Sequence, residues 1–465
     1  MHRTAVIDVV GLTGSMIGSA MPHLEGFRQR GSLLQIEPVL PALTCTAQST
    51  YLTGVPPSAH GAVANGWYHR ELSEVQFWKQ SNHLVQGQKI WEELKAVDPN
   101  FTCAKLFWWY NMYSTATWSV TPRPIYPADG RKVFDIYTGP MSLRSEIKRD
   151  LGEFPFPTFW GPAAGVRSPQ GKPDAASRWI AESAKWMEER HHPVLSLIYL
   201  PHLDYNLQRL GPNHPDIKSD LAAIDAIVGD LIQFFQKRSI RVVILSEYGI
   251  TPVDQPIHLN RLFRAQGWLA IKEELGLELL DAGASRAFAV ADHQIAHIYL
   301  NDPVLEKPVR KLLESQPGIS AIFDRVEQKT IGLDHPRSGD LVAFSSENAW
   351  FTYYYWVDDA LAPDFARCVD IHRKPGYDPV ELFLDPKLMA VKLKIAWRLL
   401  QKKLGFRMLM DVIPLDATLV KGSHGIRPRQ SANFPVLLSD QKRLLPSGEI
   451  TAIEVRNLIT QHLLG

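Results

Sequence analysis

A hydroxyl at the start of a helix, set near a carboxylate at the end of a buried strand, can attack phosphorus when a metal ion holds both. The hydroxyl here is Thr44, in Pro41-Ala-Leu-Thr44-Cys-Thr-Ala-Gln-Ser-Thr-Tyr-Leu-Thr53-Gly54, a turn running into a helical pattern. Backbone N–H groups and the helix dipole favour negative charge there. The carboxylate is Asp8, in Ala5-Val-Ile-Asp8-Val-Val-Gly11, an apolar strand with one acid. Open α/β sheets bind ligands at the carboxyl ends of such strands. Thr44 alone reads as a helix cap, so the argument depends on what else converges.

Two further apolar runs end in polar residues. Val194–Leu200 is followed by Pro201-His202-Leu-Asp204, and Arg241–Leu245 by Ser246-Glu247-Tyr248-Gly249. With Thr4–Val10 these runs read as parallel strands buried on both faces. Helical patterns over Ala175–Glu189 and Ser219–Arg238 lie between or beside them. The alternation predicts an α/β fold, a doubly wound core sheet with helices on both faces.

The rest of the 465-residue chain departs from that pattern. An aromatic- and proline-rich stretch, about 67–173, reads as long loops and short elements over the sheet edge, a source of substrate contacts or simply a packed lobe. Strand-like runs within Phe288–Trp356 predict a smaller α+β insertion. The expected division is a core from 1–270 and 410–465 and a cap over 271–409, the chain closing with a helix at Ile453–Leu464.

Composition narrows the partners. Fifty Lys and Arg against 49 Asp and Glu leave no global field for a nucleic-acid duplex. The cysteines Cys45, Cys103 and Cys368 form no CxxC pair, so neither a disulfide framework nor a thiolate zinc site is expected. Asp8 interrupts any signal-peptide core, and no apolar run is long enough to span a membrane, so a cytoplasmic location is expected. Oligomeric state is not legible. Residues 387–407 carry seven basic residues and no acid, with Leu388, Val391, Ile395 and Leu399 at helical spacing. That pattern fits an ordinary solvated helix or weak contact with an anionic membrane surface.

The ordered motifs resemble the alkaline phosphatase superfamily, in its type I phosphodiesterase / nucleotide pyrophosphatase branch. They are Asp8, Pro41-x-x-Thr44, Thr53-Gly54, His60-Gly61, Asn65-Gly66, Asp204 with Gly211-Pro212, Ser246-x-x-Gly249 and Gly422-Ser-His424-Gly425. The resemblance implies that core fold and a metal-dependent hydrolase of phosphoric ester or anhydride bonds, acting through a phospho-threonine at Thr44 on a small-molecule substrate. It also implies two divalent ions, zinc or manganese with magnesium as a third choice. The implied shell is Asp8, Thr44 and Glu247 on one ion, Asp204 and His424 on the other, with Gln208 and Tyr248 in the remaining places.

The sequence departs from the family's pattern at four positions. Gln208 and Tyr248 stand where the family has His, and Glu247 where it has Asp. Amide and phenol are poorer zinc ligands than imidazole, which moves preference toward oxygen-loving ions. Ala47 stands where the family has an Asn for the phosphoryl group, leaving Gln48 or Asn65 to supply that hydrogen bond. His202 and His293 are the further histidines able to join the site, whereas His297 alternates with apolar neighbours as a core His would. The alternatives left open are a phosphomonoesterase or phosphonate hydrolase on the same core, and a non-catalytic phospho-ligand binder with a degraded metal site.

Overall fold

The computed structural model describes residues 1–167 and 172–465. The predicted strands form at Thr4–Val9, Leu195–Leu200 and Arg241–Leu245, all but the first residue of the last buried. Thr4–Val9 lies between the other two and pairs with both in parallel. Its register sets Asp8 beside Tyr199 and Leu245. Glu247, two residues past Leu245, and the segment after Leu200 therefore leave the sheet at the edge that Asp8 reaches. Helices Ala175–His191 and Ile217–Gln236 cover the sheet, as their apolar spacing requires.

This sheet has nine strands among the described residues. Antiparallel Val436–Ser439 and Ser32–Glu37 extend it beyond Arg241–Leu245. On the other side it continues through Cys103–Leu106, Trp118–Pro122 and Ile136–Gly139. The aromatic-rich stretch thus builds one side of the sheet as well as looping over it, which corrects the sequence reading; its residues 168–171 lie outside the described residues. The strand Cys103–Leu106 escapes a search for apolar runs because it contains Lys105. That ammonium is buried and donates to the carbonyls of Trp109 at 2.6 Å and Tyr110 at 3.0 Å.

A second apolar core gathers residues from Val253 to Val420, with Tyr68 and Phe77. It surrounds a four-stranded antiparallel sheet of Ala287–Asp292, Ile295–Leu300, Leu341–Ser345 and Ile319–Phe323. The core around the nine-stranded sheet runs to Ile250 and resumes at Val436. The change between the two cores thus falls nearer 251 than 270. Thr251–Pro252 pairs antiparallel with Gly422–Ser423, bringing the segment before His424 back to the main sheet's edge. Among the described residues no helix is long and apolar enough to cross a membrane.

Candidate active site

Thr44 is the first residue of the helix Thr44–Thr53, whose ten residues are all buried. Leu43, not Thr44, occupies the cap position, so the Thr44 hydroxyl is not spent on capping. The helix tolerates burial of so many polar residues because their hydroxyls bond backward: Ser49 to the Cys45 carbonyl, Thr50 to that of Thr46, Thr53 to that of Ser49. Gly54 ends it with φ of 68°, a conformation that costs a side chain but not glycine. His60, of the His-Gly motif, holds Thr50 Oγ1 at 3.0 Å and accepts the Ala62 N–H at 3.1 Å. Its role is to brace this helix.

Thr44 Oγ1 lies 3.2 Å from the Tyr248 hydroxyl, and that hydroxyl lies 3.2 Å from Asp204 Oδ1. Gln208 donates to the other Asp204 oxygen at 2.7 Å. The Tyr377 hydroxyl in turn donates to Gln208 Oε1 at 2.8 Å. Thr44, Tyr248, Asp204, Gln208 and Tyr377 form one buried chain of hydrogen bonds. Both Asp204 oxygens are occupied by protein donors, and the Gln208 amide is bonded at both ends. Burial nonetheless raises the Asp204 carboxyl to about 7.

The other carboxylates differ. Neither oxygen of buried Asp8, nor Glu247 Oε2, has a well-aligned donor, although the two carboxyls lie against each other, with Gln48 beside Asp8 and Thr44 beside Glu247. Glu247 Oε1 accepts from Gln48 Nε2 at 2.5 Å. Burial first, and the adjacent Glu247 carboxylate second, push Asp8 well above the usual carboxylate range. Burial also raises Glu247. Two buried acids facing each other without a cation disfavour being ionised together.

His424 donates through Nδ1 to the Ala42 carbonyl at 2.8 Å, which places its lone pair on Nε2. His293 is held the same way, Nδ1 on Asp292 Oδ1 at 2.7 Å. Their rings are 3.8 Å apart, and both Nε2 atoms are buried without a partner. Burial keeps both neutral, depressing each well below the ordinary histidine value. His293 also stacks on Tyr377 at 3.5 Å.

The remaining expected residues have other duties. Gln48 is engaged at both ends, by Glu247 and by the Trp109 N–H at 2.7 Å. Asn65 accepts the Cys45 N–H at 3.0 Å and donates to Asp292 Oδ1 at 3.2 Å. Each amide oxygen and one N–H of each amide are thus held in a buried network, leaving the second N–H of each for a phosphoryl oxygen. His202 turns toward Asp220, 3.1 Å away, and not toward the Thr44–Asp204 chain. Tyr377 carries no motif that marks it in the sequence; only the fold brings it in.

The unpartnered oxygens of Asp8 and Glu247 beside Thr44 fit a hard divalent cation. Asp204, bonded by Gln208 and Tyr248, differs from them in having a protein donor on each oxygen. Among the described residues no three His, Cys, Asp or Glu side chains converge closely enough to hold a metal unaided. A cation at Asp8 and Glu247 therefore needs a third donor such as the Thr44 hydroxyl or a ligand oxygen.

The model of the type I phosphodiesterase / nucleotide pyrophosphatase family matches residues 4–378. The chain belongs to that family. An uncharacterized pyrophosphatase/phosphodiesterase of Schizosaccharomyces pombe is 24% identical over 239 residues, 49% of this chain and 40% of the relative. This chain thus aligns with less than half the length of that curated relative. Two solved structures share the fold. The murine ectonucleotide pyrophosphatase / phosphodiesterase 5 matches with a TM-score of 0.58 at 13% identity, over 99% of this chain and 95% of that one. Phosphonoacetate hydrolase of Sinorhizobium meliloti 1021, in complex with phosphonoformate, matches with a TM-score of 0.60 at 13% identity, over 99% and 96%. Fold and family place the chain in the alkaline phosphatase superfamily, whose phosphodiesterase branch generally depends on divalent metals.

Proposed function

We propose that this protein hydrolyses a phosphoric ester or anhydride bond of a small molecule, with Thr44 as nucleophile. The observation carrying this reading is the set of unpartnered oxygens on Asp8 and Glu247 beside the Thr44 hydroxyl at a helix start. A divalent cation bound there would lower the hydroxyl's pKa and offset phosphoryl charge.

The chain's own residues supply the rest. Thr44 Oγ1 bonds to phosphorus as the bond to the leaving group breaks, giving a phospho-threonine that water then cleaves. The Thr44 proton passes to the Tyr248 hydroxyl, which gives its own to Asp204 Oδ1. Asp204, raised to about 7 by burial, holds that proton near neutral pH. The helix N-terminus around Cys45 and Thr46 favours the negative charge that develops.

The test is hydrolysis of bis(p-nitrophenyl) phosphate with Mn²⁺ or Zn²⁺ by protein purified without chelator, alongside Thr44→Ala. Metal-dependent turnover abolished in Thr44→Ala, with a p-nitrophenyl phosphoryl group trapped on Thr44 at acid quench, is expected. A phosphonate substrate in parallel separates ester from phosphonate hydrolysis. One observation favours a second reading: the occupied oxygens of Asp204. A non-catalytic binder of phosphorylated ligand would show no turnover above the variant's background, yet shift its melting temperature with ligand.

A further inference from the structure

The helix Val391–Lys403 is docked with its polarity inverted. An ordinary surface helix buries its apolar stripe and solvates its charges. Here Val391 and Ile395 rest partly buried against the second core, but charged residues share that inner face. Lys394 Nζ lies 2.8 Å from Asp411 Oδ2, Arg398 lies 3.1 Å from Asp411 Oδ1, and Lys402 Nζ donates to the Lys132 carbonyl at 3.2 Å. The opposite face carries Leu393, Trp397 and Leu400 at i, i+4 and i+7, with Met389 before the helix and Leu404 after it, on the same side. Met389 is 95% exposed, Leu393 72%, Trp397 58%, Leu404 63% and the following Phe406 64%. None of the thirteen helix residues is buried.

A second exposed apolar element borders the helix, reached through Lys402 and Arg407. Ile125 and Val133 bridge the two arms of a hairpin whose Tyr126 and Phe134 are also exposed. Lys402 Nζ stands 5.4 Å over the Phe134 ring, and Arg407 donates to the Asp129 carbonyl at 3.1 Å. Large apolar side chains in a contiguous exposed patch mark an interaction surface. The charges around this one identify its partner. Residues 387–407 hold seven basic residues and no acid, in a chain whose totals are 50 basic against 49 acidic residues. Lys392 and Lys403 flank the apolar stripe on the helix and are exposed. Leu, Trp and Phe beside the exposed Lys392, Lys403 and Arg407, with Asp411 already paired to Lys394 and Arg398 and Asp129 paired to Arg131, match the acyl boundary and headgroups of an anionic bilayer.

We propose that Val391–Lys403, with Met389, Leu404, Phe406 and the hairpin around Tyr126 and Phe134, docks the protein on anionic lipid membranes. The stripe noted in the sequence, Leu388, Val391, Ile395 and Leu399, is not the docking face, since Val391 and Ile395 point inward. The exposed face lies on the opposite side, at Leu393, Trp397 and Leu400. The helix lies in the interface and does not cross it, in keeping with its length of thirteen residues.

The experiment is co-sedimentation of the whole chain with phosphatidylcholine vesicles, with and without phosphatidylserine, at low and high salt. It needs no substrate, so it stands apart from the hydrolase reading. Binding at least about tenfold stronger with phosphatidylserine, weakening as salt rises, is expected. A Leu393→Asp, Trp397→Asp, Leu404→Asp variant alters only exposed side chains, and should lower binding by roughly tenfold or more at an unchanged melting temperature. Should that variant melt early, Lys392→Glu with Lys403→Glu gives the second reading and must remove the salt-dependent part. No binding to phosphatidylserine vesicles, or binding indifferent to both variants, overturns the proposal. So does a dimer in sedimentation velocity that the aspartates dissolve while vesicles fail to compete for it, which would make a second copy of the chain the occupant.

Discussion

Tyr248 lies flat on His424, ring centroids 3.5 Å apart and planes 6° from parallel. The phenol thereby fills the space beside the imidazole and sends its hydroxyl between Thr44 and Asp204. With Gln208 it spends on hydrogen bonds the carboxylate that the family resemblance assigns to a metal ion. Replacing both, Tyr248→His with Gln208→His, offers two lone pairs and frees the Asp204 oxygens. Zinc affinity measured by titration calorimetry should rise by roughly tenfold to hundredfold over the parent. Unchanged affinity would mean that Asp204 does not limit binding.

Asp8 and Glu247 make the opposite prediction. Their unpartnered oxygens leave a cost that a cation removes. Mn²⁺ at 100 times its dissociation constant should stabilise the protein by about 2.7 kcal/mol. Asp8→Asn removes one acid of the repelling pair. In chelator this variant should melt at or above the parent temperature, and added Mn²⁺ should no longer raise it. A preserved Mn²⁺ shift in Asp8→Asn would place the cation elsewhere.

These two predictions show where the sequence was legible. Asp8, Asp204 and Glu247 stood out because each lies in or just past an apolar strand run, and parallel register carries such residues to one sheet edge; Thr44 opens a helical pattern, and His424 was legible only through the family motif Gly422-Ser-His424-Gly425. Tyr377 could not be found that way. It reaches Gln208 from 169 residues along the chain, out of a segment with no periodic pattern. The bonding of Gln48 and Asn65 was equally hidden, since an amide's partners depend on which backbone groups remain unpaired after folding. For 387–407 the helix was legible but its orientation was not, because apolar residues occur on both faces and only the Asp411 contacts decide which turns inward.

Lys374 is the residue on which the Tyr377 segment depends. Its ammonium lies 2.8 Å from Asp378 Oδ2 and 2.7 Å from Glu381 Oε1, all three side chains buried. Glu381 also takes the Trp160 indole N–H at 2.6 Å and the Asp370 N–H at 2.9 Å. Lys374→Met leaves two buried carboxylates facing each other, so a loss of about 3–5 kcal/mol in urea unfolding is expected. Adding Asp378→Asn and Glu381→Gln should recover most of it, since the uncompensated charges are then gone. A triple variant as unstable as Lys374→Met would instead assign the loss to packing.

His60 gives the fold an acid limit. Its Nδ1 accepts the Ala62 N–H, so the ring proton sits on Nε2 facing Thr50, and protonating Nδ1 breaks the Ala62 bond. Burial first, and the charges of His335 and Arg337 after it, lower its pKa to about 3. The unfolded chain titrates near the ordinary 6.5, so below that pH the unfolded state binds a proton that the folded state refuses. Stability is complete above pH 6.5 and falls as the pH drops toward 3. Between pH 6.5 and 5 this one group should cost about 2 kcal/mol. Urea midpoints across that range should show the slope, and His60→Gln, whose amide can still accept from Ala62, should flatten it. A slope that survives in His60→Gln would pass to the other histidines that burial keeps neutral, His293 and His424 in the site and His297, which accepts the Gly339 N–H in the second core and is lowered to about 4.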